Sequence, residues 1–130
     1  MAVSEIKALF SANVQEVWNI VTSLENYQWR SDISRIEILS DKQFVEYTKD
    51  GFSTTFTVTV CEPYKRWEFD MENSNMRGHW TGVFVERDSQ TEIIFTEDVT
   101  ARKLIMKPFV KLFLRKQQEQ YISDLQKAIL

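Results

Sequence analysis

Between Ile33 and Val99 large apolar residues alternate with polar ones, and turn-forming residues break the alternation at regular intervals: Asp41-Lys42, Asp50-Gly51, Pro63-Tyr64, Asn73 to Asn75, and Asp88-Ser89. A period of two sends successive side chains to opposite faces of a strand. With short polar breaks between such runs, the chain has little choice but an antiparallel meander of six strands. Val3 to Phe10, with Ile6, Ala8 and Phe10 on one face, supplies a seventh.

If each hairpin loop holds an even number of residues, the registers follow. A two-residue turn at Asp50-Gly51 sets Tyr47 opposite Thr54 and Val45 opposite Phe56. The following turns set Val60 opposite Trp67, Val58 opposite Phe69, Phe69 opposite Gly78 and Trp67 opposite Trp80. The last sets Trp80 opposite Glu97, Gly82 opposite Phe95 and Phe84 opposite Ile93. Opposed residues share a face, so the bulky apolar residues gather on one side. Gly78 and Gly82 would then lie beneath Phe69 and Phe95. The other side reads Ser53, Thr55, Thr57, Thr59, Arg66, Glu68 and Asp70, a solvated surface.

Helical spacing flanks the meander. Asn13 is suited to cap a helix, with Glu16 completing a capping box, and Val14, Val17, Trp18, Val21 and Leu24 form its apolar stripe. Glu25 to Arg30 is expected to form a second short helix. From Leu104 to Leu130 the helical period returns. Pro108 belongs near a helix start, so the helix should begin around Lys107 after a lead-in turn at Leu104 to Met106. Phe109, Leu112, Phe113, Tyr121, Leu125 and Ile129 are its expected inner stripe. The fold class is α+β: a seven-stranded curved antiparallel sheet wrapped around a long C-terminal helix, with two short helices after the first strand.

The 130 residues, 43% hydrophobic and 13% aromatic, suit a single domain over 1–130. A net charge of −3 argues against nucleic acid as a partner. One cysteine, Cys61, read as a packing residue, and an N-terminus without a secretory pattern lead us to expect a reducing, cytoplasmic setting. One histidine, one cysteine and no glycine-rich phosphate loop give no expected metal site and no cofactor.

The order of elements is that of the helix-grip fold. Val17-Trp18, Leu24, Tyr27, Trp29 and Glu37-Ile38-Leu39 resemble the START/Bet v 1-like (SRPBCC) superfamily, and within it the polyketide cyclase/dehydrase-like group. Gly78, Trp80 and Phe84 on one strand and Thr91 to Phe95 on the next are similar too. A proline commonly follows the tryptophan in that group; Arg30-Ser31-Asp32 stands here instead. The resemblance implies a cavity for a small hydrophobic or aromatic ligand, lipid- or polyketide-like, between sheet and helix. Relatives of this kind include carriers, aromatic cyclases and co-chaperones, so the task itself is left open.

The expected lining is Trp29, Thr54, Phe56, Val58, Trp67, Phe69, Met71, Met76, Trp80, Phe84 and Phe95, with Phe109 and Phe113 from the last helix. The alternative is a core that fills itself. Glu97 is the carboxylate that the register places inside, and with Tyr47 it forms the candidate catalytic pair of a cyclase or dehydratase. Alternatively Glu97 reaches water or pairs with Arg30 or Arg102, and a slip of the last hairpin would substitute Asp98. His79 opposite Asp98 falls on the outer face. Arg102, Lys103, Lys107, Lys111, Arg115 and Lys116 flank apolar residues without an intervening acid. They form either a solvated helix face or a peripheral contact with an anionic membrane or a protein partner.

Overall fold

The computed structural model describes residues 2–129; Met1 and Leu130 lie outside it. Its elements are β1 (Ala2–Phe10), α1 (Val14–Thr22), β2 (Arg35–Ile38), β3 (Gln43–Tyr47), β4 (Ser53–Glu62), β5 (Arg66–Glu72), β6 (Met76–Arg87), β7 (Gln90–Ala101), a 3-10 segment (Leu104–Phe109) and α2 (Val110–Ile129). The seven strands form one antiparallel sheet in the order β1-β7-β6-β5-β4-β3-β2. Among the described residues no helix is long and apolar enough to cross a membrane.

The Asn13 side chain accepts from the Glu16 N–H at 2.8 Å and starts α1 as expected. Val14, Val17, Trp18 and Val21 bury its inner face. The second short helix does not form. The Ser23 hydroxyl accepts from the Asn26 N–H at 3.1 Å, and the Arg30 N–H closes a turn onto the Tyr27 carbonyl at 3.0 Å. A serine that satisfies the backbone locally competes with helix continuation, and six residues are too few to overcome nucleation.

The β6–β7 register is the expected one, with Trp80 opposite Glu97, Gly82 opposite Phe95 and Phe84 opposite Ile93. Between β5 and β6 the pairing shifts by two, to Phe69 with Trp80 and Trp67 with Gly82, which preserves the face. Gly78 lies opposite Met71 and Val99 rather than Phe69. Gly82 keeps its expected place: a Cβ there would strike the Trp80 ring. Between β4 and β5, Val58 does face Phe69. A bulge after it then places Cys61, not Val60, opposite Trp67. Cys61 is exposed and packs no core.

The β3–β4 hairpin departs most. A type I′ turn needs positive φ at both central residues, and Asp50 does not have it; Gly51 does, at 87°. The Thr48 and Phe52 backbones close the hairpin at 2.9 Å around the odd loop Lys49-Asp50-Gly51. An odd loop shifts β3 by one residue, and a shift of one reverses its faces. Phe44 and Glu46 turn inward opposite Phe56 and Thr54. Tyr47 turns outward, where its hydroxyl donates to Glu37 at 3.0 Å and the Arg35 guanidinium lies 3.7 Å from its ring centre.

The terminal helix is also rotated from its expected setting. Pro108 sits within the 3-10 segment, so regular helix begins only at Val110. The buried stripe is Val110, Leu114, Gln118, Ile122 and Leu125; Phe109, Leu112 and Phe113 are exposed. Two polar contacts explain the rotation. Gln118 Nε2 donates to the Ser4 carbonyl at 2.9 Å, and the Ser4 hydroxyl donates to Gln118 Oε1 at 2.7 Å. Asp124 accepts from the Ser31 N–H at 2.8 Å and from its hydroxyl at 2.7 Å. Buried polar groups must be matched, so these partners fix which face of α2 turns inward.

The β3 reversal has a measurable consequence. Phe44 is almost fully buried and stacks on Phe56 with ring centres 5.0 Å apart. Phe44→Ala should lower unfolding free energy by about 3–5 kcal/mol, whereas Tyr47→Ala should cost about 1 kcal/mol or less. Urea denaturation of the two variants checks the register, and equal losses would contradict it.

Candidate functional site

The inner face of the sheet and the underside of α2 do not close on each other. They enclose a cavity of about 620 Å³. Two packed clusters hold the helix at its two ends. Ile122 and Leu125 join α1 and the aromatic sheet residues, while Val110 and Leu114 join Val99 and Ala101. Residues of both clusters line the cavity.

Its floor is a continuous aromatic surface. Phe69 and Trp80 stack in parallel at 4.8 Å, and Trp67 and Phe95 meet Trp80 at 5.9 and 4.8 Å. These rings come together because alternate residues of β5, β6 and β7 share the inner face. Of the expected lining, Trp29, Thr54, Phe56, Trp67, Phe69, Met71, Met76, Trp80, Phe95, Phe109 and Phe113 border the cavity. Val58 and Phe84 do not. Val58 packs at the side of the core, and Phe84 is covered by α1, with the Trp18 ring 5.0 Å away. Tyr47, on the opposite face, is no part of the cavity either, so the expected pair with Glu97 is not assembled.

Glu97 does border the cavity, only 8% exposed, and makes no hydrogen bond to a described residue. Neither arginine weighed as its partner bonds to it. Arg102 pairs with Glu72 at 3.0 Å. Arg30 is held between Glu46 at 2.7 Å and Asp32 at 2.8 Å, with its guanidinium carbon 5.1 Å from the Tyr121 ring centre. Burial first, and then the Glu46 carboxylate, push the Glu97 carboxyl up to about 7, with Arg30 acting the other way. Burial alone would weaken the Arg30 charge, but Glu46 and Asp32 more than offset it and hold the guanidinium protonated. Burial pushes the Tyr121 hydroxyl upward, so it stays neutral. One end of an apolar cavity therefore carries a fixed ion-pair group and, next to it, a carboxyl that changes charge near neutrality.

Sequence reasoning gave Asp32 and Glu46 no place in the site, weighed Arg30 only as a partner of Glu97, and read Tyr121 only as part of the inner helix stripe. Two signals were present. Arg30-Ser31-Asp32 stands where the resembling group commonly has proline, and all three residues are used: two in the ion pair and Ser31 as an anchor for α2. Glu46 shares parity with Phe44, so burying Phe44 brings Glu46 inside. His79 lies on the outer face, as expected, although its ring bonds to Asp70 and Glu68 on β5, both at 2.7 Å, and not to Asp98 opposite.

Residues 1–129 match a protein-family model described as polyketide cyclase/dehydrase and lipid transport. No functionally curated protein matches the sequence. Among solved structures, the chain is similar to a START superfamily protein from Mycobacterium smegmatis: TM-score 0.91 at 15% identity, covering 99% of this chain and 97% of that one. It is similar to the Zhui aromatase/cyclase from Streptomyces sp. R1128 with TM-score 0.87 at 10% identity, covering 98% and 92%. A conserved protein from Geobacillus kaustophilus gives TM-score 0.84 at 12% identity, covering 98% and 94%. At these identities the likeness is one of fold, the START-type helix grip.

The setting of Glu97 predicts an unusual pH dependence. Its folded value near 7 stands above the ordinary 4.5. The folded state therefore holds a proton that the unfolded state releases earlier. Stability should fall as pH rises from about 4.5 to about 7, by on the order of 3 kcal/mol, and then level off. Glu97→Gln should remove that slope and be the more stable protein at pH 8. Urea titrations at several pH values read both effects.

Proposed function

The chain belongs to the polyketide cyclase/dehydrase and lipid transport family, and from that premise we propose that it binds a small apolar or aromatic molecule in the cavity under α2. The observation that carries this reading is the cavity of about 620 Å³ with its stacked aromatic floor and a single untethered carboxyl. Ligand sites of this size are mostly apolar walls with a few polar groups that set orientation. Flat rings offer such a molecule large contact area at low entropic cost. The Glu97 carboxyl and the Arg30 ion pair at one end favour a ligand with an oxygen function at one terminus.

An environment-sensitive apolar dye should bind with 1:1 stoichiometry. Met76→Trp, which fills space at the cavity wall, should weaken that binding tenfold or more while leaving the melting temperature within a few degrees. A native protein that excludes the dye would defeat the proposal.

A second reading is favoured by Glu97 specifically. A carboxyl near 7 is populated in both protonation states at neutral pH, as a group that takes and returns a proton must be. In the dehydration of a β-hydroxy ketone formed by ring closure, the carboxylate would remove a proton from the carbon between the carbonyl and the hydroxyl-bearing carbon. The C–H electron pair becomes the new C=C bond. The resulting acid returns the proton to the departing hydroxyl, which leaves as water. Positioning in the cavity supplies much of the remaining acceleration. Glu97→Gln should abolish turnover of a poly-β-ketone while the dye still binds. Undiminished turnover would remove Glu97 from the chemistry.

A further inference from the structure

We propose that the segment from Lys103 to Lys116 docks the protein on an anionic lipid bilayer, with the cavity mouth facing the membrane. The first support is apolar exposure. Leu104 and Ile105 are 78% and 79% exposed, and Phe109 is 64% exposed. No residue of the 3-10 segment is buried. Leu112 and Phe113 continue the patch along the first turn of α2. The rotation of α2 that buries Gln118 turns these residues outward, so core packing does not account for them. Contiguous apolar surface of this kind marks an interaction site.

The second support is charge. Six of the sixteen lysines and arginines fall between Arg102 and Lys116, with none of the nineteen acids. Elsewhere ten cations face nineteen acids, so the molecule is basic at this end and acidic over the rest. Lys103, Lys107, Lys111 and Lys116 are exposed and form no ion pair with a described residue. Cations beside exposed aliphatic and aromatic residues are the composition of an interfacial helix. The polarity of the whole molecule would orient this end toward a negative surface and turn the acidic remainder away.

The third support is position. Ile105, Phe109 and Phe113 belong both to the exposed patch and to the cavity wall. A bilayer covering the patch therefore also covers the entrance, and an apolar ligand passes between lipid and cavity without crossing water. This last step rests on the ligand-binding reading above; docking itself does not.

The test is flotation of the full chain with vesicles of phosphatidylglycerol and phosphatidylcholine, and with phosphatidylcholine alone. Two paired variants accompany it: Lys107→Glu with Lys111→Glu, and Leu104→Ser with Leu112→Ser. None of these four residues borders the cavity. The native protein should float with the anionic vesicles and weakly with the neutral ones, and each pair should reduce partitioning roughly tenfold or more. Dye binding without vesicles should persist in both. Absence of flotation, indifference to lipid charge, or flotation unchanged by both pairs would overturn the proposal. So would a dimer in light scattering that both pairs dissolve, since a second copy would then own the patch. Charge-dependent flotation by a native protein that fails to bind dye would uphold docking and overturn only the cavity reading.

Discussion

The helix α2 is held at a distance from the sheet it covers, and the rest of the architecture depends on how. Gln118 reaches the edge strand at Ser4, and Asp124 reaches the turn at Ser31. Each is a buried polar side chain with specific partners, and Gln118 Nε2 also donates to the Phe95 carbonyl of β7 at 3.5 Å. Losing a partner in such a setting costs about 1–3 kcal/mol, so the helix cannot roll to lay Phe109 and Phe113 against Trp80 without leaving these groups unmatched. The apolar contacts of Ile122 and Leu125 at one end, and of Val110 and Leu114 at the other, then clamp it in that position. The open interior is thus a product of polar geometry as much as of a shortage of side-chain volume.

The same turn that anchors the helix sets the electrostatics of the interior. Arg30 and Asp32 flank Ser31, and Arg30 draws in Glu46 from β3. Within this group two carboxylates surround one guanidinium, which leaves a surplus of negative charge beside Glu97. Burial first, and the Glu46 carboxylate of this group second, push the Glu97 carboxyl up to about 7 against the opposing pull of Arg30. Structural anchoring and the tuning of the interior acid are two outputs of one short stretch of chain.

Much of this was legible in the sequence because the sheet is written in parity. Any hairpin slip by two residues leaves the faces intact, which is why the aromatic floor survived the altered pairing of β5 with β6. The bulge after Val58 did no harm to Phe69 because that pair forms before the extra residue enters. What parity cannot supply is the oddness of a loop. Asp50-Gly51 has the composition of a two-residue turn, but the backbone closes around three residues and β3 reverses. Glu46 was therefore hidden and Tyr47 misplaced. The rotation of α2 was hidden for a different reason: a helical stripe of Phe109, Leu112 and Phe113 looks like a core stripe until Gln118 is known to have a buried partner.

The odd loop between β3 and β4 has a bearing on how such proteins diverge. Deleting or inserting one residue among Lys49, Asp50 and Gly51 would exchange Phe44 and Glu46 for Val45 and Tyr47 on the interior wall. No interior codon would need to change. The guanidinium of Arg30 would lose a counter-charge, and a phenol would enter in its place. Loop length at a solvent-exposed hairpin thereby becomes a heritable dial on interior chemistry, one that alters what a vessel of constant shape accepts.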